Sequence, residues 1–202
     1  MEENKDYMDI IDDSDADRFC FDGKMEFFIY AKHAKDIGRK KNIIWVNKST
    51  YNDRFMQGYH LYEDRKYEKA LQAYKKALEV NPVGINARFE ICECYLKLGN
   101  LIGARTTLLE MQDFLVENKH IAKFYRRLGF IAIEQQDYRL AAACFVHSLK
   151  HEKSNLVIDE LLYIHSATGG IEPIGDPEKV MRSAKIPILT GYSATSMKET
   201  SN

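Results

Sequence analysis

Several residue types are scarce in this chain of 202 residues, and each scarcity excludes a class of protein. Four cysteines and no secretory leader argue against a disulfide-based fold, so free thiols in a reducing, cytoplasmic setting are expected. No run approaches the roughly 18 apolar residues that span a bilayer, so no membrane insertion is expected. The formal net charge is −1, so no overall field favours nucleic acid as a partner.

Local charge is less even than the total. Acidic residues crowd the start of the chain, which predicts an acidic, flexible leader over residues 1–24. Residues 25–50 are expected to form an N-terminal helix and linker. The helix, Met25 to Ile37, is too apolar on one side to stay solvated. Residues 42–47 fit a linker or a strand-like segment, and a linker is expected because no second strand is visible.

Three segments of the chain agree when the sequence is compared with itself: residues 51–84, 85–121 and 122–155. Small and bulky residues recur at the same places in each segment. The columns are Gly58, Cys92 and Gly129; Ala70, Ala104 and Ala141; Tyr74, Leu108 and Phe145; and Tyr67, Leu101 and Tyr138.

These columns predict helical hairpins that stack. Small residues that face each other let two antiparallel helices approach closely, and the bulky residue one turn later is expected to fill space against the neighbouring unit. Asn81-Pro82 supplies a helix stop in the first unit, since proline lacks a backbone donor. Turns are expected at Gly99-Asn100 in the second unit and at Gln136-Asp137 in the third.

The pattern resembles the tetratricopeptide repeat family, whose period is 34. Unit one matches at Gly58, Leu61, Tyr67, Ala70, Tyr74, Ala77 and Pro82, and unit three matches at Leu128, Gly129, Tyr138, Ala141 and Phe145. Unit two departs from the family pattern at Cys92 and Met111. The resemblance implies an all-α, right-handed superhelix of hairpins. It also implies a protein-binding or peptide-binding module that acts as adaptor, scaffold or chaperone, with a layout like that of the family's small chaperones.

The C-terminal part is expected to finish the array. Residues 156–166 predict a capping helix over the third unit. Residues 167–202 predict a tail with a short helix at 177–185, because Asp176 suits an N-cap and Pro177 suits the first turn. From Thr190 onward the composition favours no fixed structure.

In the family, the binding surface is concave and is lined by the first helix of each unit. The resemblance carries its positions to Asn52, Phe55, Tyr59, Tyr62, Asn86, Phe89, Glu93, Leu96, Lys123, Arg126, Phe130 and Ile133. The aromatic side chains among them suit an apolar segment of a partner. Lys123 and Arg127 also stand at the last two positions of a carboxylate clamp found in some members, but Phe55, Tyr59 and Glu90 replace the first three.

Two alternatives remain open at this stage. In the first, the chain's own N-terminal helix occupies the groove. In the second, another copy of the chain occupies it, and the protein is a self-associating structural or regulatory protein. Catalysis is not expected, because no phosphate loop, nucleophile elbow or zincin motif is present. No cofactor and no metal is expected either, since His147 and His151, with Glu152 nearby, lack clear third and fourth ligands.

Overall fold

The computed structural model describes residues 16–170 and 175–191. Nine α-helices, two short strands and one 3₁₀ turn lie in these residues. In chain order they are β1 (Asp17–Phe19), α1 (Lys24–Asp36), β2 (Ile43–Trp45), α2 (Ser49–Glu63), α3 (Tyr67–Val80), α4 (Ile85–Lys97), α5 (Leu101–Glu110), the 3₁₀ turn (Gln112–Phe114), α6 (Asn118–Glu134), α7 (Tyr138–Ser148), α8 (Asn155–Ala167) and α9 (Pro177–Ser183).

Three helical hairpins form the centre of the molecule: α2 with α3, α4 with α5, and α6 with α7. Helix α3 shows why they form, because its apolar residues recur at the spacing of one helix face. Ala70, Tyr74 and Ala77 of that face are fully buried. The hairpins then stack through α3 against α4 and through α5 against α6, so that each covers an apolar face of the next.

The small-residue columns lie where the two helices of a hairpin meet. A Cβ added to Gly58 would come within 2.7 Å of the Tyr74 ring, and one added to Gly129 within 2.8 Å of the Phe145 ring. The bulky residue therefore packs against the glycine of its own hairpin, and Tyr74 also lies in a buried cluster with Ile91 and Cys94 of the neighbouring unit. Ala70, Ala104 and Ala141 are fully buried.

Short polar turns join the two helices of each hairpin. The side chain of Asn100 accepts a hydrogen bond from the backbone N–H of Gly103 at 2.7 Å, and Asp137 accepts one from Leu140 at 3.0 Å. Both are N-caps that satisfy a free donor of the helix that follows. Between hairpins, Asn81 accepts bonds from Val83 and Gly84 at 3.1 Å each, and this turns the chain after α3.

Two expectations for the N-terminal part were wrong within the described residues. Residues 42–47 are not a linker, because β2 pairs in parallel with β1, with Phe19 opposite Trp45. Residues 16–24 are not a flexible leader, since Cys20 and Phe21 are buried. The backbone N–H of Cys20 also donates to the carbonyl of Val80 at 2.9 Å, which attaches this segment to the end of α3. Residues 1–15 lie outside the described part.

Helix α1 joins the two strands and packs against the side of the array where one hairpin passes to the next. Its Tyr30 and Ala34 are buried, and His33 meets the ring of Phe114 in the 3₁₀ turn at 4.9 Å between centroids. Glu26 accepts a hydrogen bond from the Asn81 side chain at 3.0 Å. Strands β1 and β2 with α1 are called the N-terminal unit below.

The C-terminal segment returns to the array. Helix α9 packs against α7 and begins at Asp176, whose side chain accepts a bond from the backbone N–H of Glu178 at 3.0 Å. The chain then continues along the array: Ile186 is buried, and the hydroxyl of Tyr125 donates to the carbonyl of Pro187 and accepts from the N–H of Leu189. Residues 184–191 are called the C-terminal strap. The expected absence of fixed structure after Thr190 falls mainly on residues 192–202, outside the described part.

Helix α8 covers one side of α7 through Val157 and Ile164, which are buried. Its outer face is apolar: Leu156, Ile158, Leu162 and Tyr163 are each about half exposed. None of the helices in residues 16–170 and 175–191 has the length and apolar character required to cross a bilayer.

Candidate functional site

The first helix of each hairpin carries every residue that the sequence placed on the concave surface. Helix α2 carries four of them, α4 four and α6 five, counting Arg127. They differ widely in exposure. Asn52, Tyr59 and Asn86 are exposed, Phe89 is fully buried, and the others are partly buried: Phe55, Tyr62, Glu93, Leu96, Lys123, Arg126, Arg127, Phe130 and Ile133.

The expectation that Phe89 contacts a ligand was wrong. Its ring lies in the core at 0% exposure, and the amine of Lys123 stands 4.3 Å from its centroid. A cation above an aromatic face is attracted by the ring's quadrupole, which holds the lysine in place. The surface above Phe89 is therefore formed by the lysine rather than by an open aromatic ring.

The cations of α6 are matched by carboxylates, so the concave surface is less apolar than the sequence suggested. Arg127 Nη2 lies 2.6 Å from Glu93 Oε1, and Arg126 Nη1 lies 2.8 Å from Glu152 Oε2. Both arginines are largely covered, with side-chain exposures of 27% and 15%. At such partly buried sites ion pairs are screened less than on the open surface.

Glu90 provides the matching acid for Lys123. Burial lowers the pKa of Lys123, and the nearby carboxylate of Glu90 acts in the opposite direction. Burial likewise raises the pKa of Glu90, while Lys123 acts to lower it. Each group is thus held in its charged form mainly by the other, since desolvation alone favours the neutral forms.

A cavity of about 400 Å³ opens beside the pair of Glu93 and Arg127. It is lined by residues of α4, of the turn that follows it, of the start of α5, and of α6: Glu93, Leu96, Lys97, Gly99, Leu101, Arg127, Phe130 and Glu134. Its apolar wall is formed by Leu96, Leu101 and Phe130, and the ring of Phe130 packs edge-on against Phe145 at 5.3 Å. Within the described residues, the buried Arg127 Nε has no hydrogen-bond partner, whereas Glu93 Oε1 is in contact with Arg127 Nη2 at 2.6 Å.

Two tyrosines extend this surface along α2. Tyr59 is 45% exposed, whereas Tyr62 is partly covered by an edge-on contact with Tyr67 at 5.3 Å. Burial raises the pKa of the Tyr62 hydroxyl and Glu93 adds to that rise, so Tyr62 lies near the ion pair of the cavity. Phe55 instead packs between Tyr51 and Tyr74, which limits its role to support.

The two histidines weighed as metal ligands sit away from this surface. His147 is 2% exposed, its ring meets Tyr125 at 4.6 Å, and neither of its nitrogens has a hydrogen-bond partner among the described residues. Glu152 is held by Arg126. Across the described residues no group of three or more potential metal ligands is found. The four cysteines are free and buried, and burial raises the pKa of Cys92 and Cys94 to about 12.

Sequence reasoning missed part of the site. Lys97, Leu101 and Glu134 also line the cavity, whereas the sequence pattern indicates only a packing role for Leu101 and none for the other two. Glu152 was considered as a metal neighbour and proves to be the partner of Arg126. The available signal was the charge pattern: acids at 90 and 93 and bases at 123 and 127 lie on the first helices of adjacent units, and opposite charges there predict attraction between the two helices.

Comparison with known proteins agrees with this geometry. A family model described as tetratricopeptide repeat matches residues 61–128. Residues 61–128 are thus similar to tetratricopeptide repeats. Two curated relatives match across 49% of the chain: the Hsp70-Hsp90 organising protein of Plasmodium falciparum, 26% identical over 103 residues, and the Hsp70-Hsp90 organizing protein 3 of Arabidopsis thaliana, 27% identical over 99. The match covers only 18% and 17% of those proteins, so the chain corresponds to a small part of each.

Solved structures of tetratricopeptide repeat domains share the fold. The first such domain of Spaghetti (RPAP3), bound to the HSP90 peptide SRMEEVD, aligns with a TM-score of 0.54 at 19% identity, covering 62% of this chain and 98% of that one. The domain of Arabidopsis OM64 gives 0.53 at 20% identity, over 60% and 99%. The Sgt2 domain of Aspergillus fumigatus gives 0.52 at 19%, over 74% and 94%. The repeat array is therefore an all-α superhelix of hairpins, as the sequence predicted.

Proposed function

We propose that this tetratricopeptide repeat chain is a protein-binding adaptor that holds a segment of a partner on the concave surface of α2, α4 and α6. The observation that carries the proposal is the cavity between α4 and α6. It combines an apolar wall with the ion pair of Glu93 and Arg127, in which Arg127 Nε has no hydrogen-bond partner among the described residues, and this is the composition of a site that accepts a side chain and fixes its orientation.

The comparisons support the class of function without naming the partner. One structural neighbour holds an HSP90 peptide, and the curated relatives are named for organising Hsp70 and Hsp90. We propose binding rather than catalysis, since the conspicuous groups of the concave surface are ion pairs and apolar walls. The four cysteines of the chain are buried and free, which fits a reducing compartment such as the cytoplasm.

A displayed library of random twelve-residue peptides tests the proposal, because selection from it does not require the partner to be identified. Peptides selected on the wild-type chain are measured by calorimetry against Tyr59→Ala, Leu96→Ala and the double variant. Loss of an apolar or aromatic anchor typically weakens binding by about 1–2 kcal/mol, so about tenfold is expected for each change. Ile102→Ala is the matched control, because Ile102 is 78% exposed and lies on the second helix of its hairpin.

Equal affinity of the selected peptides for wild type, both groove variants and the control would refute the concave site. Circular dichroism and thermal unfolding of each variant confirm that a lost interaction reflects the surface and not the fold. Both groove residues retain considerable solvent contact, so moderate stability changes are expected from their truncation.

A second candidate is self-association, and one observation favours it. The outer face of α8 presents four large apolar side chains, each about half exposed, where the end repeat of a solenoid usually carries a polar face. Sedimentation across a concentration series tests this candidate: a rising mass that Leu162→Glu abolishes supports it, and a constant monomer mass excludes it.

A further inference from the structure

We infer that the concave site selects an uncharged, internal segment of its partner and discriminates against acidic segments and free C-terminal carboxylates, because its two arginines, Arg126 and Arg127, are already paired with the chain's own carboxylates. The inference rests on the proposed binding function and specifies the chemistry of the ligand. The residues that impose the selection are Glu90 and Glu93.

The first step is the charge balance of the surface. Four cations stand on α4 and α6 near the cavity: Lys97, Lys123, Arg126 and Arg127. Four acids stand with them: Glu90, Glu93, Glu134 and Glu152. The formal charges of these eight residues sum to zero. A peptide rich in carboxylates is therefore not attracted by a net positive charge as it approaches this surface.

The second step is what an acidic ligand must displace. A ligand carboxylate that reaches Arg127 has to separate it from Glu93 Oε1, which lies 2.6 Å away. This exchange gives Arg127 one carboxylate in place of another. It leaves Glu93, which is partly buried, without its cation, and an unpaired charge at such a place is unfavourable in free energy. The amine of Lys123 lies 4.3 Å from the centroid of the Phe89 ring, so a ligand carboxylate that draws the amine away also loses this contact.

The third step is what the site offers instead. Arg127 Nε is a buried donor that has no hydrogen-bond partner within the described residues, whereas Glu93 Oε1 is already occupied by Arg127 Nη2 at 2.6 Å. A main-chain carbonyl, or the carboxamide oxygen of Asn or Gln, accepts a hydrogen bond from this donor without bringing a negative charge to Glu93. The cavity of about 400 Å³ beside the ion pair receives an apolar side chain of the same segment against Leu96, Leu101 and Phe130.

Two probe peptides test the selection. The first is SRMEEVD, the acidic peptide bound by one structural neighbour. The second is its carboxylate-free counterpart SRMQQVN with an amidated C-terminus, which keeps the arginine and the N-terminal amine of the first peptide. The wild-type chain is expected to bind the acidic peptide no more tightly than the carboxylate-free one. The variant Glu90→Gln with Glu93→Gln frees Lys123 and Arg127, and it is expected to bind the acidic peptide at least about tenfold more tightly than wild type does.

Three measurements complete the design. The variant Lys123→Gln with Arg127→Gln, combined with the two glutamate changes, should lose the gained affinity. Glu79→Gln is the matched control, because Glu79 lies on α3 with its side chain 69% exposed, and it should gain nothing. Thermal unfolding reports whether each variant is folded.

A wild-type preference of tenfold or more for the acidic peptide, abolished by Lys123→Gln with Arg127→Gln, would overturn the inference while leaving the binding function intact. No gain in the double glutamine variant would also overturn it, since the paired acids would then not be what excludes carboxylates. Failure of the proposed binding function gives a different result: the library-selected peptides would bind the Tyr59→Ala and Leu96→Ala variants with the same affinity as the wild-type chain.

Discussion

The repeat array and the two terminal segments are stabilised by contacts of different range. Inside a hairpin the decisive contacts join residues about sixteen positions apart, such as Gly58 with Tyr74 and Gly129 with Phe145. The N-terminal unit instead depends on β1 meeting β2 and on Cys20 meeting Val80, and the C-terminal strap depends on Tyr125 meeting Pro187 and Leu189. The comparison teaches that the array is encoded by local repetition, whereas the ends are encoded by single partners far along the chain.

The largest expected effect breaks the array at one of its columns. Phe145→Ala removes a fully buried ring that lies against Gly129, and the cavity left behind should lower the free energy of unfolding by about 3–5 kcal/mol. Denaturant titration followed by circular dichroism measures it. The matched control Phe28→Ala truncates a ring that is 64% exposed and should change stability by about 1 kcal/mol or less. Similar losses for both variants would contradict the role of the columns.

A slightly smaller effect is expected from breaking the N-terminal unit. Phe21 is 2% exposed and meets the rings of Tyr30 and Trp45, so Phe21→Ala should destabilise that unit by about 3 kcal/mol. Trp45 is the single tryptophan and reports this unit by its fluorescence. If the unit depends on distant partners as described, the tryptophan transition of the variant precedes the loss of helix. Coincident transitions in the variant would show that the two regions unfold together.

The smallest effect is expected from the protonation of His147, which lies on α7 where α9 of the C-terminal segment packs against that helix. Burial lowers the pKa of His147 to about 4, from an ordinary value of about 6.5. Between these values the unfolded chain binds a proton that the folded chain does not. The stability contributed by neutral His147 is therefore present above about pH 6.5, is lost as the pH falls towards 4, and does not change further below that.

This linkage amounts to at most about 3 kcal/mol between pH 7 and pH 4. His147→Phe keeps a ring against Tyr125 and removes the titrating group, so its unfolding free energy should fall less over that range than that of wild type. The charged and titratable groups around the ring are Lys150, His151 and Glu178, and they are unchanged in the variant. Parallel pH profiles for the two proteins would contradict this account of His147.

The repeat array could be predicted from the sequence, whereas the contacts that hold the two terminal segments could not. The columns of Gly58, Ala70 and Tyr74 determined the hairpins because a helix has a fixed period and close packing needs small residues. The pairing of β1 could not be foreseen, since the three residues Asp17–Phe19 carry too little pattern to identify a strand. The strap was missed for a related reason: Tyr125 and Arg105 bind its backbone, and no spacing rule connects these residues to the strap.

The concave site was predicted in position but not in character. Family positions gave the inner face of α2, α4 and α6, yet they did not reveal that Phe89 is buried beneath Lys123 or that Arg127 is paired with Glu93. Such features depend on the distance between neighbouring helices and on side-chain direction. Neither is contained in the position of a residue within its repeat.

The most direct test of the account is a map of backbone amide chemical shifts when a library-selected peptide is added to the labelled chain. The account predicts that the largest changes fall around the cavity, at Glu93, Leu96, Leu101 and Phe130, with smaller ones along α2 at Tyr59 and Tyr62. Changes confined to the second helices of the hairpins or to the outer face of α8 would contradict it.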